Sequence, residues 1–351
     1  NIRNTEVFDY VNDMMKMAAE PVGEAEPVFT LPDNVLLPET IAWDESRQKF
    51  LVGTVAEGSI FAVGKDGQAT LLLAANAENG MWAVFDILVD EARKRLWVTS
   101  AATPKFSGFD PIDKGRSALF EYKLETLELV RRYPVPVDGM PHVLGSMVLD
   151  PNGDIFIADR ALPIVYRKSA NEQKLKAVIA SREMVSLRGI AMQPDGRIMY
   201  VADRELGILI VDLKAGSTGK LVVPKTLNLG GIDGLYLWAN RLIVIQNGIK
   251  PQRVLRLQLD SSGTRVEAIR PLAVARPEFA YPSYGVIVGD DLYYFANSQW
   301  GKSKDDLKPV TVLRTPLNSS GDLEQPDMLE YLRQRGERMR TQPEEAEKTK
   351  P

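Results

Sequence analysis

Glu39, Arg188 and Asp233 stand at one repeated position, two residues ahead of the start of a short apolar stretch. The same position elsewhere holds Phe85, Gly145 and Tyr284, and the next residues are Thr40, Asp86, Ser146, Gly189, Gly234 and Gly285. Two converging carboxylates are suited to hold a divalent cation or to draw a proton from water. A guanidinium carries five donors, which fit a carboxylate or a phosphate. His142, the only histidine, lies in Gly139-Met140-Pro141-His142. Its imidazole is a candidate general base; the plainer reading is a loop histidine that hydrogen-bonds at the rim. The candidate catalytic set is therefore Glu39, Asp233, Arg188 and His142.

The elements that must position these groups repeat six times. The apolar stretches begin at Ile41, Ile87, Met147, Ile190, Leu235 and Val286, 43 to 60 residues apart. A turn follows each, then a strand ending in small polar residues, then a third strand. An all-β repeat of about 40–50 residues marks the blades of a β-propeller, so the fold expected is an all-β, six-bladed β-propeller with short N- and C-terminal helical extensions. In such a meander the start of the first strand and the end of the second share a face. The first strand is innermost, so that face carries the mouth of the central channel.

Residues at this mouth are candidate ligand contacts: Asp86, Ser146, Arg160, Arg204, Asn247, Tyr284, Asn297 and Trp300. Asp159-Arg160 and Asp203-Arg204 recur at equivalent places, which also suits ion pairs between blades. Asp44, Asp90 and Asp150 end first strands and suit turn capping. The longer stretch Ala102–Ser117 leaves the mouth end of blade two and is expected to overhang it as a lid.

Three segments are expected: 1–26, a helix over 5–19 and a linker; 27–322, the propeller; and 323–351, a helix and a disordered tail. The helices suit packing on the rim or contact with a protein partner. Asn318-Ser319-Ser320-Gly321 leaves blade six without a fourth strand. Pro27–Leu31 is a strand without a blade and is expected to fill that place, leaving no long open edge.

Composition narrows the partners. Among 351 residues, 43 basic and 47 acidic side chains are well mixed, and no basic stripe suggests nucleic acid. No apolar run reaches the roughly 20 residues of a membrane span. Cysteine is absent, so disulfide and thiol chemistry are excluded. A chain without cysteine that starts at Asn1 fits a periplasmic or secreted protein, and a cytoplasmic one too.

Pro38-Glu39-Thr40-Ile41-Ala42-Trp43-Asp44, Arg188-Gly189-Ile190-Ala191, Pro194-Asp195-Gly196 with Tyr200-Val201-Ala202-Asp203, and Ile232-Asp233-Gly234-Leu235 resemble the senescence-marker-protein/gluconolactonase family. It is similar in fold to strictosidine synthase and the paraoxonases, and the resemblance covers roughly 27–317. It implies a small-molecule hydrolase of the lactonase or esterase kind. It also implies a hub calcium held by a Glu before blade one, an Asn before blade four, an Asp before blade five and sometimes an Asn before blade three. Glu39 and Asp233 match; Arg188 and Gly145 depart. One expectation is a hub without calcium, in which Arg188 pairs with Glu39 and Asp233. The other is a calcium held by Glu39, Asp233 and Asp86, with Arg188 swung outward. Three activities stay open: hydrolysis, binding of a small anionic or sugar-like ligand or a protein partner without catalysis, and carbon–carbon bond formation.

Overall fold

A computed structural model of the chain describes Phe8, Asn12, Asp13 and residues 20–181 and 183–319. Six antiparallel sheets follow one another in chain order. Their innermost strands are Pro38–Asp44, Ala83–Asp90, Leu144–Leu149, Leu187–Met192, Ile232–Trp238 and Gly285–Val288. Each pairs with the strand after it: Lys49–Thr54, Arg95–Ala101, Ile155–Asp159, Ile198–Asp203, Arg241–Gln246 and Asp291–Phe295. This is the six-bladed β-propeller.

Burial changes from hub to rim. The second strand Ile198–Asp203 is buried at every residue, whereas the outer strand Ser217–Lys220 of the same blade is exposed at every residue. Second strands are covered on both faces by neighbouring blades, which suits their β-branched and aromatic residues. The apolar core is accordingly divided into clusters that each join two adjacent blades. Leu51, Val98 and Phe120 join blades one and two, and Phe50, Tyr293 and Val312 join blades six and one. Turn chemistry closes the inner hairpins. Asp150 Oδ1 accepts the Asp154 N–H at 2.7 Å, and Asp44 Oδ1 accepts that of Arg47 at 3.0 Å.

The ring closes through Glu26–Thr30, which lies antiparallel on Thr311–Pro316 as the outer strand of blade six. Val22–Gly23, inside the segment expected to be a linker, adds a short fifth strand to blade five by pairing with Val274 and Ala273. The helices expected over 5–19 and after 323 fall almost wholly outside the described residues. Phe8, Asn12 and Asp13 are helical, but among the described residues between 20 and 319 the helical elements are two three-residue turns, Pro111–Asp113 and Lys304–Asp306, and the expected helical extensions are not borne out. No helix among the described residues is long and apolar enough to cross a membrane.

Candidate functional site

The hub side chains owe their direction to a repeated irregularity. In blades one to five the pairing of first and second strands slips near the strand start: Pro38/Thr40, Val84/Asp86, Leu144/Met147, Leu187/Ile190 and Ile232/Gly234. Glu39, Phe85, Gly145, Arg188 and Asp233 lie inside these slips. A bulge re-aims a side chain that regular alternation would bury in the sheet. In blade six Tyr284 lies just before the strand.

Around the mouth two carboxylates meet three guanidinium groups. Arg160 Nη1 donates to Glu39 Oε1 at 2.5 Å. Arg204 Nη1 donates to Asp233 Oδ1, and Asn247 Nδ2 donates to Asp233 Oδ2 at 2.6 Å. Arg188 Nε is 3.7 Å from Asp233 Oδ1, and its Nη1 donates to the Leu187 carbonyl at 2.8 Å. Arg188 was expected to neutralise both carboxylates. It forms an ion pair with Asp233 at 3.7 Å but none with Glu39; the arginines at the ends of second strands close on the two carboxylates directly, and Arg188 Nη1 turns back to its own strand.

Burial raises the pKa of Glu39, with Arg160 opposing it, and burial pushes up the Tyr284 phenol. The Arg188 guanidinium is shifted downward by burial and by the charge of Arg160. The Arg160 guanidinium lies 5.3 Å from the centres of both the Phe85 and Tyr284 rings and 5.6 Å from that of Trp300. Such cation–π contacts hold it in a desolvated place. Two buried polar atoms here have no protein partner, the Tyr284 hydroxyl and Asn247 Oδ1.

A channel cavity of about 380 Å³ is lined by residues of all six inner strands, among them Thr40, Asp86 and Ser146, and by Tyr284. Asp86 accepts the Thr40 hydroxyl at 2.8 Å and the Met147 N–H at 2.7 Å. Burial nevertheless raises its pKa to about 6. A carboxyl that holds its proton more tightly in the folded chain stabilises the fold while protonated. That contribution is complete below about pH 4 and lost as pH rises through about 6. A displacement of this size is worth about 3 kcal/mol. Asp86→Asn should therefore gain on the parent by roughly that amount between pH 4 and 7 in denaturant melts. A stability difference independent of pH would refute this assignment.

Other expected residues lie elsewhere. His142 is 2 % exposed; Nδ1 contacts Asp159 Oδ2 at 2.7 Å and Nε2 contacts Asp138 Oδ1 at 3.1 Å. With both ring nitrogens engaged by carboxylates, it braces the entry to blade three, and action as the expected general base would require one of these contacts to open. Asn297 is likewise structural, its Oδ1 accepting the Thr311 N–H at 2.9 Å and its Nδ2 donating to the Pro309 carbonyl at 3.1 Å. Asp159 and Asp203 do not pair with the arginines that follow them. They accept backbone N–H groups of the adjoining loops, which frees Arg160 and Arg204 for the hub.

The loop 102–116 reaches toward neighbouring loops. Ser107 Oγ donates to Glu57 at 3.0 Å, and Lys105 Nζ reaches the Lys302 carbonyl at 3.2 Å and lies 5.6 Å from the Trp300 ring. It therefore joins loops of blades one and six beside Arg160. Sequence reading missed Tyr236, whose hydroxyl accepts the Gly285 N–H at 2.6 Å and holds the entry to blade six. Its alternate position between Leu235 and Leu237 was the available signal, since period-two alternation turns it to the face opposite Leu235, toward blade six.

The donor set does not fit a calcium ion. Calcium takes about six to eight oxygen ligands, yet Glu39 Oε1 is held by Arg160, and both Asp233 oxygens are held by Arg204 and Asn247. Among the described residues no cluster of three or more His, Cys, Asp or Glu could hold a metal. Gly145 supplies no donor, and a Cβ there would sit 2.6 Å from both Cγ and Cδ of Arg160.

The chain is thus a six-bladed propeller with an arginine-rich hub. No family model matches it, and no curated protein matches it by sequence. Solved structures do match its fold. The allergen Mala s 1 of Malassezia sympodialis is 14% identical, with 83% of this chain and 96% of that one covered and a TM-score of 0.60. A luciferin-regenerating enzyme is 16% identical over 85% and 95%, with a TM-score of 0.57. A protein provisionally named a gluconolactonase is 16% identical over 83% and 92%, with a TM-score of 0.56. The resemblance to gluconolactonase-like propellers therefore holds at the level of fold, and fold alone does not carry an activity.

Proposed function

We propose that the propeller binds a small organic anion at the channel mouth, with Arg188 as the receiving fork. The observation that carries this reading is the incomplete pairing of Arg188. Its side chain is 18% exposed, its Nε is 3.7 Å from Asp233, and one Nη donates to a backbone carbonyl. Arg160 and Arg204 each close directly on a carboxylate, so of the three guanidinium groups that of Arg188 has the least directly neutralised charge. Three guanidinium groups against Glu39 and Asp233 leave the mouth one positive charge in excess while Asp86 is protonated, an excess that Asp86 formally cancels once it ionises. Phe85 and Trp300 add apolar surface beside it. A planar carboxylate suits the guanidinium, and partial burial strengthens the pair relative to bulk water.

Calorimetry at low ionic strength with acetate, lactate, sugar acids and inorganic phosphate tests this reading. Arg188→Gln should weaken binding at least about tenfold, the scale of one charge-assisted hydrogen bond, without changing the melting temperature of the free protein by more than a few degrees. Absence of binding by every anion, or equal binding by the variant, would refute it.

A second reading is a lactone or ester hydrolase, supported by the upward-shifted carboxyl of Glu39 and by the gluconolactonase-like fold. Glu39 would take a proton from water as the water oxygen attacks the carbonyl, and Arg188 would face the oxyanion. The carbon–oxygen bond would then break, and the leaving oxygen would recover the proton. The ion pair with Arg160 weighs against it, because a carboxylate already held by a guanidinium is a weaker base. Turnover of a lactone panel that is lost in Glu39→Gln would favour this reading over simple binding.

A further inference from the structure

We infer that Arg160 is the built-in cation of the hub, occupying the place and the electrostatic role of a divalent metal, and that the missing side chain at Gly145 is what admits it. Three independent features converge. The guanidinium closes on Glu39 at 2.5 Å from a residue 121 positions away in the chain. The aliphatic stem passes over Gly145 so closely that a Cβ would lie 2.6 Å from two of its carbons. The head is enclosed by Phe85, Tyr284 and Trp300, rings that attract a cation on their faces but offer no carboxylate or carbonyl to a metal.

This reassigns the role expected of Arg188, whose guanidinium does not contact Glu39 and lies beyond hydrogen-bonding distance of Asp233. It also links two departures. A side chain at 145 and Arg160 in the conformation that reaches Glu39 exclude each other sterically, so loss of a donor at 145 and seating of the organic cation go together. The hub therefore keeps its carboxylates neutralised without any exchangeable ion. The inference concerns the resident charge of the hub and stands whether the mouth binds an anion or hydrolyses a lactone.

Metal analysis and thermal melting test it. The purified full chain, dialysed against calcium and then against buffer, should carry far less than one calcium per chain. Its melting temperature should be the same in millimolar calcium and in EDTA. Arg188→Asn should behave like the parent, because Arg160 still fills the place. Arg160→Ala uncovers Glu39 and should acquire a calcium-dependent rise in melting temperature that magnesium does not reproduce. Stoichiometric calcium in the parent, or a fall in its melting temperature with EDTA, would overturn the inference. So would calcium uptake by Arg188→Asn alone, or an Arg160→Ala protein that folds but does not respond to calcium. If Arg160→Ala does not fold, the parent and Arg188→Asn measurements still decide the matter.

Discussion

Arg160→Met should lower the stability of the protein by about 3–5 kcal/mol, the cost of leaving one member of a buried ion pair without its partner. Glu39 is 3 % exposed, and burial already pushes its pKa upward against the pull of Arg160. Methionine keeps the length and much of the apolar contact with Phe85, Tyr284 and Trp300, so loss of charge dominates the effect. The remaining carboxyl can escape the penalty by taking up a proton, so the loss should be larger at pH 8 than at pH 5. Glu39→Gln in the same chain removes the stranded charge and should recover more than half of the loss. Urea unfolding of both single variants and the double variant gives the coupling directly. A double variant no more stable than Arg160→Met would show that the pair is not the source of the effect.

Asp203→Ala should be comparably damaging although it touches no ligand. Asp203 is completely buried. Its Oδ2 accepts the N–H groups of Val185 and Ser186 at 2.7 and 3.2 Å, and its Oδ1 accepts those of Glu205 and Leu206 at 2.9 and 3.1 Å. Hydrogen bonds to a charged group are worth about 1.5–3 kcal/mol each. Water can reclaim some of the freed donors, so the expected loss is about 4 kcal/mol. Asn keeps one acceptor oxygen and should lose roughly half as much. The substitution also loosens Arg204, the next residue, and with it the clamp on Asp233. Calorimetric unfolding measures the first effect, and anion affinity at the mouth measures the second. A loss below about 1 kcal/mol would mean that these four bonds contribute no more than ordinary exposed ones.

The architecture was legible because it is written in local chemistry. Alternating apolar residues, Asp-capped turns and a repeat near 40–50 residues are properties of neighbouring positions, and backbone sterics convert them into strands whatever the rest of the chain does. The unpaired segment Pro27–Leu31 and the broken pattern after Leu317 even indicated how the ring closes, because an open sheet edge is unfavourable. The placing of Glu39, Arg188 and Asp233 at the mouth ends of inner strands followed from the same repeat.

Which charge meets which was not legible. The slips in strand pairing that turn Glu39 and Asp233 inward have no residue signature of their own, and long flexible arginines reach partners far away in sequence. Arg160 and Arg204 do form the ion pairs between blades that their recurrence suggested, with Glu39 and Asp233, but nothing in the sequence favoured those acids over the adjacent Asp159 and Asp203. Their carboxylates are used instead by backbone donors that would otherwise be buried unsatisfied. His142 was the obvious base by residue type, and two carboxylates engaged it in a bracing role. Local residue patterns were enough for the six blades, the closing strand and the face that carries the mouth. That Arg160, over a bare glycine, neutralises Glu39 emerged with the assembled ring. Strand formation depends on residues a few positions apart, whereas charge pairing depends on side chains from separate blades competing for one axis.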